Sequence, residues 1–513
     1  ASHADDEAWE REVSVALEDM DSQSFDLAGT TPSLVKELPI RRLADLVDDA
    51  LTGRDPSPLS DVRLTLIHKS GGGWRPIGVG HALAILCKKV AAIALNRAAR
   101  PILEARGAYT LKTEGCRTLV ARLRDGLDQG YALITLDVAD AFCQLHRQAV
   151  VDQVGRDTPL LQSFITEVLA ENLVMATAGD DSVISTHCTR GVVQGCPLSS
   201  TLFSMVLARI TTEVVTRLGG EVLRPDCPVA KDLMLCSYAD DIFILARSER
   251  GAAELLDALA PALQDVGLTL APHKTRLIAD APWTLLGRRV EPQPALEVLG
   301  IPLGDQPAAT TLLLEKIQEV TAFVQVVREK VHLQAHRLLM LRESGPFARL
   351  QWVMAGVAPP VATDEVMGAA RTLDRLVTLT ILSPPPGVEA ALHPSFLPLD
   401  QVPLRQVDLA AARLGYFIPL LRHLQPRPPT DPRYDRRWAL VYQYELRGTD
   451  DSELPPFYSK QAKALKPLLS REALMAPDPA LPATLFAVSG LPGALPRERV
   501  YCANEGHAAG SEP

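Results

Sequence analysis

The sequence predicts a mixed α+β fold, with a small antiparallel sheet, two helices beneath it and helical segments on either side. Two observations carry this prediction. Leu233–Leu245 holds two apolar runs that read as short strands joined by a tight turn at Asp240-Asp241, and Tyr131–Asp137 is a strand-like run that ends in an acid. Helix-like segments of 3.6-residue period alternate with these strands. A chain of 513 residues is long enough for two to four domains.

Composition indicates a globular chain, because apolar residues make up 47% of it and the mean hydropathy is +0.06. No apolar run reaches membrane-spanning length, no signal-peptide pattern opens the chain, and we therefore expect no membrane partner. The eight cysteines form no C-x-x-C pair, which predicts reduced thiols in an intracellular compartment and no structural zinc within this chain. The chain starts at Ala1 without an initiator Met, which suggests a processed product or an excised segment.

Charge is distributed unevenly although the net charge is −10. Residues 1–60 hold fourteen acids and five bases, whereas residues 62–124 hold twelve Lys or Arg and two acids. A basic block of this kind is either a solvated face or a nucleic-acid contact.

The first part of the chain is predicted to be helical around one hairpin. Helices are expected near Glu7–Met20 and Thr31–Leu51, followed by a hairpin over residues 61–79 with Gly71-Gly72-Gly73 at its turn. Residues 81–105 form the next predicted helix. Its polar face is basic and suits a phosphate backbone, through Lys88, Lys89, Arg97 and Arg100.

Further elements follow from the same periodicities. We expect helices at Cys116–Asp128, Leu160–Ala176, in the apolar stretch after Ser199, and at Glu249–Val266. Strands are expected at Val183–His187, Gly267–Leu270 and Leu296–Leu303. Residues 311–330, 332–355 and 362–382 are predicted helices, residues 383–404 a Pro-rich linker, and the last residues a disordered tail.

Several residues have chemical potential, and each also has a plain structural explanation. Adjacent Asp240 and Asp241 repel one another and need a cation, or they form a solvated turn. Asp137 ends a strand, where it faces a ligand cleft or caps the next helix. Lys69 and Arg75 flank the glycine turn and could grip a triphosphate, or they are surface cations.

These signals occur in the order seen in reverse transcriptases, which the sequence resembles over about residues 61–305. TLDVADAF, GVVQGCPLSSTLF and SYADD resemble the three palm motifs, GLTLAPHKT the fourth, LGIPLG the primer-grip strand and WRPI the fingertip hairpin. The resemblance is closest to non-LTR retrotransposon polymerases, with group II intron maturases next. It continues more weakly into residues 336–360. One departure is Ser200, because typical members of the family have Pro at this position, directly after the Ser that corresponds to Ser199. The sequence also contains no endonuclease signature.

The resemblance implies a right-hand polymerase with two Mg²⁺ ions, which takes a dNTP, an RNA template and a DNA primer. It places an acidic helical extension in residues 1–60, fingers and the first part of the palm in 61–230, and the palm with the YADD hairpin and primer grip in 231–305. A helical thumb occupies 306–382, the linker 383–404 and a C-terminal region 405–513. The resemblance also implies that the protein acts in the nucleus, or in an organelle if it is maturase-like.

The resemblance also assigns roles to single residues. The implied metal ligands are Asp137, Asp240 and Asp241, with the backbone carbonyl of Val138 as an additional ligand. Lys274 is implied to place a charge, or a proton, near the leaving pyrophosphate; the alternative is a surface lysine. The implied nucleotide contacts are Lys69, Arg75, Gln194, Gly195 and Phe142, the last as a gate against a 2′-hydroxyl or as core packing. Gly300 is implied to contact the primer.

Three functions remain compatible with the sequence. The first is an RNA-directed DNA polymerase. The second is a domesticated RNA-binding subunit that does not polymerise, which the acidic N-terminus and the altered C-terminal region favour. The third is an RNA-templated RNA polymerase, which Phe142 disfavours.

Overall fold

The computed structural model describes residues 3–20, 32–54, 59, 61–68, 74–170, 172–177, 183–330, 350, 352–353, 356–357, 361 and 363–382. The chain divides into two compact units, residues 1–293 and 294–513. Lys69 and its glycine turn, most of the predicted helix 332–355, the linker and the C-terminal region lie outside the described residues.

The first unit alternates helices and strands, as the sequence predicts. Its helices are α1 His3–Glu18, α2 Pro32–Lys36, α3 Ile40–Leu51, α4 Ala82–Ala105, α5 Gly115–Asp128, α6 Ala141–Gln144, α7 Arg147–Asp157, α8 Gln162–Val168, α9 Ser199–Arg217 and α10 Glu249–Gln264. Its strands are β1 Val62–His68, β2 Trp74–Val79, β3 Ala132–Leu136, β4 Asn172–Thr177, β5 Val183–Cys188, β6 Glu221–Val222, β7 Leu233–Tyr238, β8 Asp241–Ala246, β9 Arg276–Ile278, β10 Trp283–Leu285 and β11 Arg288–Val290.

A five-stranded sheet in the order β6-β7-β8-β3-β9 forms the centre of this unit. β7 and β8 form the predicted hairpin, and β3 pairs antiparallel with β8 on one edge and with β9 on the other. β6 adds a parallel edge to β7. The mixed α+β fold with a small, mainly antiparallel sheet is therefore confirmed.

Both faces of this sheet are buried, which explains the nearly continuous apolar runs of its strands. Successive side chains of β8 point to opposite faces, and Ile242, Phe243, Ile244 and Leu245 are all at most 3% exposed. Helix α5 covers the Leu245 face so closely that a Cβ on Gly126 would lie 2.4 Å from Leu245 Cδ1. Helices α9 and α10 pack against β7 and β8 in the main hydrophobic core.

A second sheet in the order β2-β1-β4-β5 corrects one prediction. The predicted helix Leu160–Ala176 is wrong in its second half, because α8 ends at Val168 and Asn172–Thr177 is strand β4. β4 pairs parallel with β1 and antiparallel with β5. Pairing with strands distant in sequence decided the conformation of this short apolar run, which the local pattern assigns to a helix.

Two further predictions differ from the structure for local reasons. The single helix predicted over Thr31–Leu51 is two helices, α2 and α3, because Pro39 stands immediately before α3. The strand predicted at Gly267–Leu270 is reduced to one bridge between Leu270 and Val138.

The second unit begins with a hairpin of β12 Ala295–Val298 and β13 Ile301–Gly304. The single strand predicted around Gly300 is therefore wrong: Leu299 and Gly300 both have positive φ and make the turn of this hairpin. Helices α11 Gln306–Lys330 and α12 Asp364–Leu382 confirm two of the three predicted C-terminal helices, and α11 packs against β13 and α12. The hairpin lies in this unit, separate from the five-stranded sheet with which the sequence grouped it.

Within the described part of the chain, no helix is both long enough and apolar enough to cross a bilayer. Its seven cysteines are all free thiols.

Candidate active site

Three carboxylates meet at one end of the five-stranded sheet. The register pairs Leu136 of β3 with Ile242 of β8, so Asp137 follows β3 at the same end at which Asp241 begins β8. Tyr238 pairs with Asp241, which leaves Ala239 and Asp240 as the two-residue turn of the hairpin. Antiparallel pairing thus brings Asp137 beside two acids about a hundred residues further along the chain.

Burial and mutual repulsion make this cluster electrostatically unfavourable on its own. Burial, together with the charges of Asp240 and Asp137, raises the pKa of Asp241 to about 7. Burial also raises the pKa of Asp240, and the charge of Asp137 acts in the same direction. Arg75 and Lys274 oppose this effect on Asp240, so both cations lie within electrostatic reach of the cluster.

The local fold holds Lys274 against Asp137. Ala271 N–H donates to the carbonyl of Asp137 at 2.9 Å, and a 3₁₀ turn over Pro272–Lys274 follows directly. The Lys274 ammonium then donates to Asp137 Oδ2 at 2.8 Å. This hydrogen bond raises the pKa of Lys274, which keeps the ammonium charged.

The donor chemistry of the cluster fits a hard divalent cation. All donors of the cluster are carboxylate oxygens. The raised pKa values of Asp240 and Asp241 show that their negative charges are unfavourable there, and a bound cation would stabilise them. Among the residues that the structure describes, no group of three or more His, Cys, Asp or Glu side chains already has the arrangement of a metal site. Asp137 is instead paired with Lys274.

The β1–β2 hairpin and the Gln194-Gly195 loop are joined through their backbones. Gly78 N–H of β2 donates to the carbonyl of Gln194 at 2.7 Å. Gly195 has a φ of +100°, and a Cβ there would lie 2.9 Å from the carbonyl oxygen of Gly78. Only glycine fits this close approach without strain. The loop therefore packs on the strand that carries Arg75.

Phe142 and Val138 lie beside the carboxylates along the chain, and both also contribute to packing. Phe142 is partly buried and stacks on Phe203 of α9, with ring centroids 4.9 Å apart and an angle of 13° between the rings. Val138 is 3% exposed and bridges to Leu270. The packing alternative for Phe142 is thus realised, and the gate and the Val138 carbonyl ligand stay predictions.

The basic face of α4 is not the free cationic surface that the sequence suggested, because the acidic helix α1 lies against it. Lys88 is buried, at 4% exposure. Lys89 pairs with Asp19, and Arg97 donates to Glu12 at 2.8 Å. Charge complementarity between the two halves of the uneven distribution explains this arrangement. Arg100 is exposed, and nucleic-acid binding by these four residues stays a prediction.

Arg147 is a residue that sequence reasoning missed. Its guanidinium donates to the carbonyls of Leu169, Ala170, Cys188 and Gly191 at 2.8–3.2 Å, so it fixes the start of the loop that carries Gln194. No local sequence pattern marks Arg147 as a residue that fixes a loop, because its partners are backbone carbonyls that lie far from it along the chain. Gly300 lies in the second unit, and its predicted primer contact stays a prediction.

Both the five-stranded sheet and the acidic cluster fall within a region of the chain that matches a known protein family. The family described as "Reverse transcriptase (RNA-dependent DNA polymerase)" matches residues 67–303. The chain therefore contains a reverse transcriptase domain and resembles the polymerases of non-LTR retrotransposons.

Similar proteins include two Pol polyproteins of type-1 retrotransposable element R2 from Popillia japonica. They are 22% and 28% identical over 57% and 45% of this chain, and over 50% and 34% of their own lengths. The R2DM Pol polyprotein of Drosophila melanogaster is 27% identical over 48% of this chain and 24% of its own. The chain thus spans half or less of these relatives.

Solved structures with some similarity include a telomerase from Candida albicans in complex with a fragment of telomeric RNA. It is 11% identical, the alignment covers 80% of this chain and 66% of that one, and the TM-score is 0.43. Apo telomerase from Candida tropicalis, truncated of its C-terminal domain, gives 14% identity over 53% and 59% of the two chains and a TM-score of 0.36.

Proposed function

We propose that this protein is an RNA-directed DNA polymerase of the non-LTR retroelement type. The observation that carries the proposal is the convergence of Asp137 with Asp240 and Asp241 at one sheet end, flanked by Arg75 and Lys274. A scaffold protein has no physical need for a half-buried cluster of mutually repelling carboxylates. The retrotransposon relatives support the same reaction class.

In this proposal Asp137 and Asp240 are the principal ligands of two Mg²⁺ ions, Asp241 is a lesser one, and the Val138 carbonyl adds an oxygen. When bound, the ions activate a primer 3′-hydroxyl and neutralise the leaving pyrophosphate. Lys274, which donates to Asp137 in this structure, would place a positive charge, or a proton, near the leaving pyrophosphate.

The remaining pocket would select and orient the dNTP. Arg75, with Lys69, would bind the triphosphate, and Gln194 and Gly195 would form the floor beside the base pair. Phe142 would exclude a ribose 2′-hydroxyl, which favours dNTPs over rNTPs.

The finer architecture and partners belong to the same proposal. The first unit would supply fingers and palm, and the helices of the second a thumb, with Gly300 touching the primer. An RNA template and a DNA primer would follow the remaining basic surface, including Arg100, and the enzyme would act in the nucleus or in an organelle.

Primer extension tests the proposal. Wild type, Asp240→Asn and the exposed-surface control Asp257→Asn are given an RNA template, a DNA primer, dNTPs and Mg²⁺. We expect synthesis by wild type and Asp257→Asn, and a loss of about a thousandfold or more in Asp240→Asn, because the amide is neutral and binds the ions weakly. Thermal melting establishes that all three proteins are folded.

The alternative of a non-polymerising RNA-binding subunit predicts a different result. Well-folded wild type that binds RNA but extends no primer on several primer–templates would exclude the polymerase proposal and favour that alternative.

A further inference from the structure

We propose that Thr110 is a positioning residue for the catalytic turn, holding Ala239 in a strained conformation so that Asp240 faces Asp137. This inference rests on the proposed function. Thr110 lies in the segment between α4 and α5, outside every motif that the sequence marked.

The turn adopts a backbone conformation that alanine rarely takes. Ala239 has a φ of +52°, in the left-handed region that glycine adopts freely and other residues do not. Ala239 directly precedes Asp240 and follows Tyr238 in the two-residue turn. Strain of this kind persists only where neighbouring groups hold it.

Thr110 supplies such a hold through its hydroxyl. The backbone N–H of Ala239 donates to Thr110 Oγ1 at 3.0 Å. Thr110 Oγ1 lies 2.9 Å from Ser204 Oγ, within a second hydrogen bond. Ser204 is 1% exposed on α9, the helix at the centre of the core. The turn is thus tied through two hydroxyls to α9, whose buried side chains belong to the main hydrophobic core.

The backbone around Thr110 is fixed as well, so its hydroxyl is held in place. Tyr109 N–H donates to the carbonyl of Ser237 at 2.9 Å, and Ser237 N–H donates to the carbonyl of Gly107 at 3.0 Å. The fully buried Tyr109 ring also donates its hydroxyl to the carbonyl of Leu223 at 3.1 Å. A β-branched side chain adds a restricted χ1.

The consequence concerns metal affinity. A turn that keeps its left-handed conformation presents Asp240 in one orientation, whereas a relaxed turn samples several. Losing one partly buried hydrogen bond shifts the equilibrium between the two turn conformations by about tenfold. Metal affinity falls by the same factor when only that fraction of the molecules can bind.

The test compares Thr110→Val, which keeps the shape and removes the acceptor, with Thr110→Ser, which keeps the hydroxyl. We expect Thr110→Val to lose about tenfold in hydrogen-exchange protection at the Ala239 amide and to raise the half-saturating Mg²⁺ concentration for extension by about tenfold. Thr110→Ser should stay within about twofold of wild type in both. Adding Ala239→Gly to Thr110→Val should restore the Mg²⁺ dependence, because glycine takes this conformation without help.

Unchanged protection and Mg²⁺ dependence in Thr110→Val would overturn the inference, as would a failure of Thr110→Ser to retain them. If Thr110→Val does not fold, Ser204→Ala probes the same chain of hydroxyls and must shift both readouts in the same direction.

Failure of the proposed function is distinguished by a readout that needs no turnover. Binding of Mn²⁺ alone, followed by electron paramagnetic resonance, is compared between wild type, Thr110→Val and Thr110→Ser. A wild type that extends no primer but binds Mn²⁺ more tightly than Thr110→Val retains the positioning role. Equal Mn²⁺ binding in wild type and Thr110→Val overturns it.

Discussion

Asp241 shows how burial and neighbouring negative charges change the pKa of a single carboxyl in the cluster. Its pKa is raised to about 7, first by burial and then by Asp240 and Asp137. A carboxyl whose pKa is higher in the folded than in the unfolded chain binds more protons when folded. Folding stability therefore falls as the pH rises from about 4 to about 7.

We predict that Asp241→Asn stabilises the metal-free protein at pH 8 by roughly 1–3 kcal/mol, because it removes a buried charge from a repelling cluster. The gain should disappear below about pH 4, where the carboxyl is protonated in both states. Thermal melting in EDTA over a range of pH measures this change in stability, with Asp257→Asn as the exposed control. Equal effects of the two substitutions at pH 8 would contradict the prediction.

Phe142 packs on Phe203 and is also the proposed gate against a 2′-hydroxyl, and one pair of substitutions separates the packing role from the proposed one. Phe142→Val should lower the dNTP preference over rNTPs, because it empties the proposed gate, and should also cost roughly 1–3 kcal/mol of stability through lost contact with Phe203. Phe203→Leu disturbs the same stack from the other side and should cost stability alone. The ratio of dNTP to rNTP incorporation measures the gate, and an unchanged ratio in Phe142→Val removes it.

At the scale of elements, loops of the first unit are held by side chains that reach backbone groups far along the chain. Arg147, at the start of α7, donates hydrogen bonds to backbone carbonyls at the end of α8 and at the end of β5. The loop that follows β5 contains Gln194 and contacts β2. The orientation of the proposed nucleotide pocket therefore depends on a guanidinium outside it.

We predict that Arg147→Lys raises the KM for dNTP by about fivefold and lowers stability by roughly 2–3 kcal/mol, because an ammonium cannot reach four carbonyls in a fork. Arg156→Lys, on the exposed face of the same helix, is the matched control. Steady-state kinetics and melting measure both effects, and a KM unchanged in a destabilised Arg147→Lys would show that the residue is structural only.

At the scale of the whole molecule, the acidic start of the chain neutralises part of the basic block that follows it. α1 is anchored by Trp9, whose Nε1 donates to the carbonyl of Ala44 at 3.2 Å, and by the buried Val13. The pairs Asp19–Lys89 and Glu12–Arg97 then lie between α1 and α4. Net charge alone thus gives a poor guide to the partners of this chain.

We predict that Glu12→Gln with Asp19→Asn tightens RNA binding by about two- to tenfold at low salt and steepens its salt dependence, because Lys89 and Arg97 become available to phosphates. Stability should change by less than about 1 kcal/mol, since these pairs are exposed. Asp6→Asn with Glu7→Gln makes the same change of charge elsewhere on α1. Binding titrations over a range of salt compare the two, and equal effects would show that this face does not contact RNA.

The sequence by itself determined most of the helices and strands, and the order of the motifs. Nearly continuous apolar runs around Asp240-Asp241 and before Asp137 indicated the strands, because a strand buried on both faces needs such runs. The 3.6-residue period likewise specified α4 and α10. These features depend on near neighbours, and sequence displays near neighbours directly.

Only the tertiary structure decided which distant groups meet. It made β4 a strand, paired Lys274 with Asp137, set Thr110 under the turn and covered Lys89 and Arg97 with acids. Each of these contacts joins residues far apart along the chain, and their identity depends on how the elements pack. Long-range packing chooses among many partners of similar local propensity, and no local pattern records that choice.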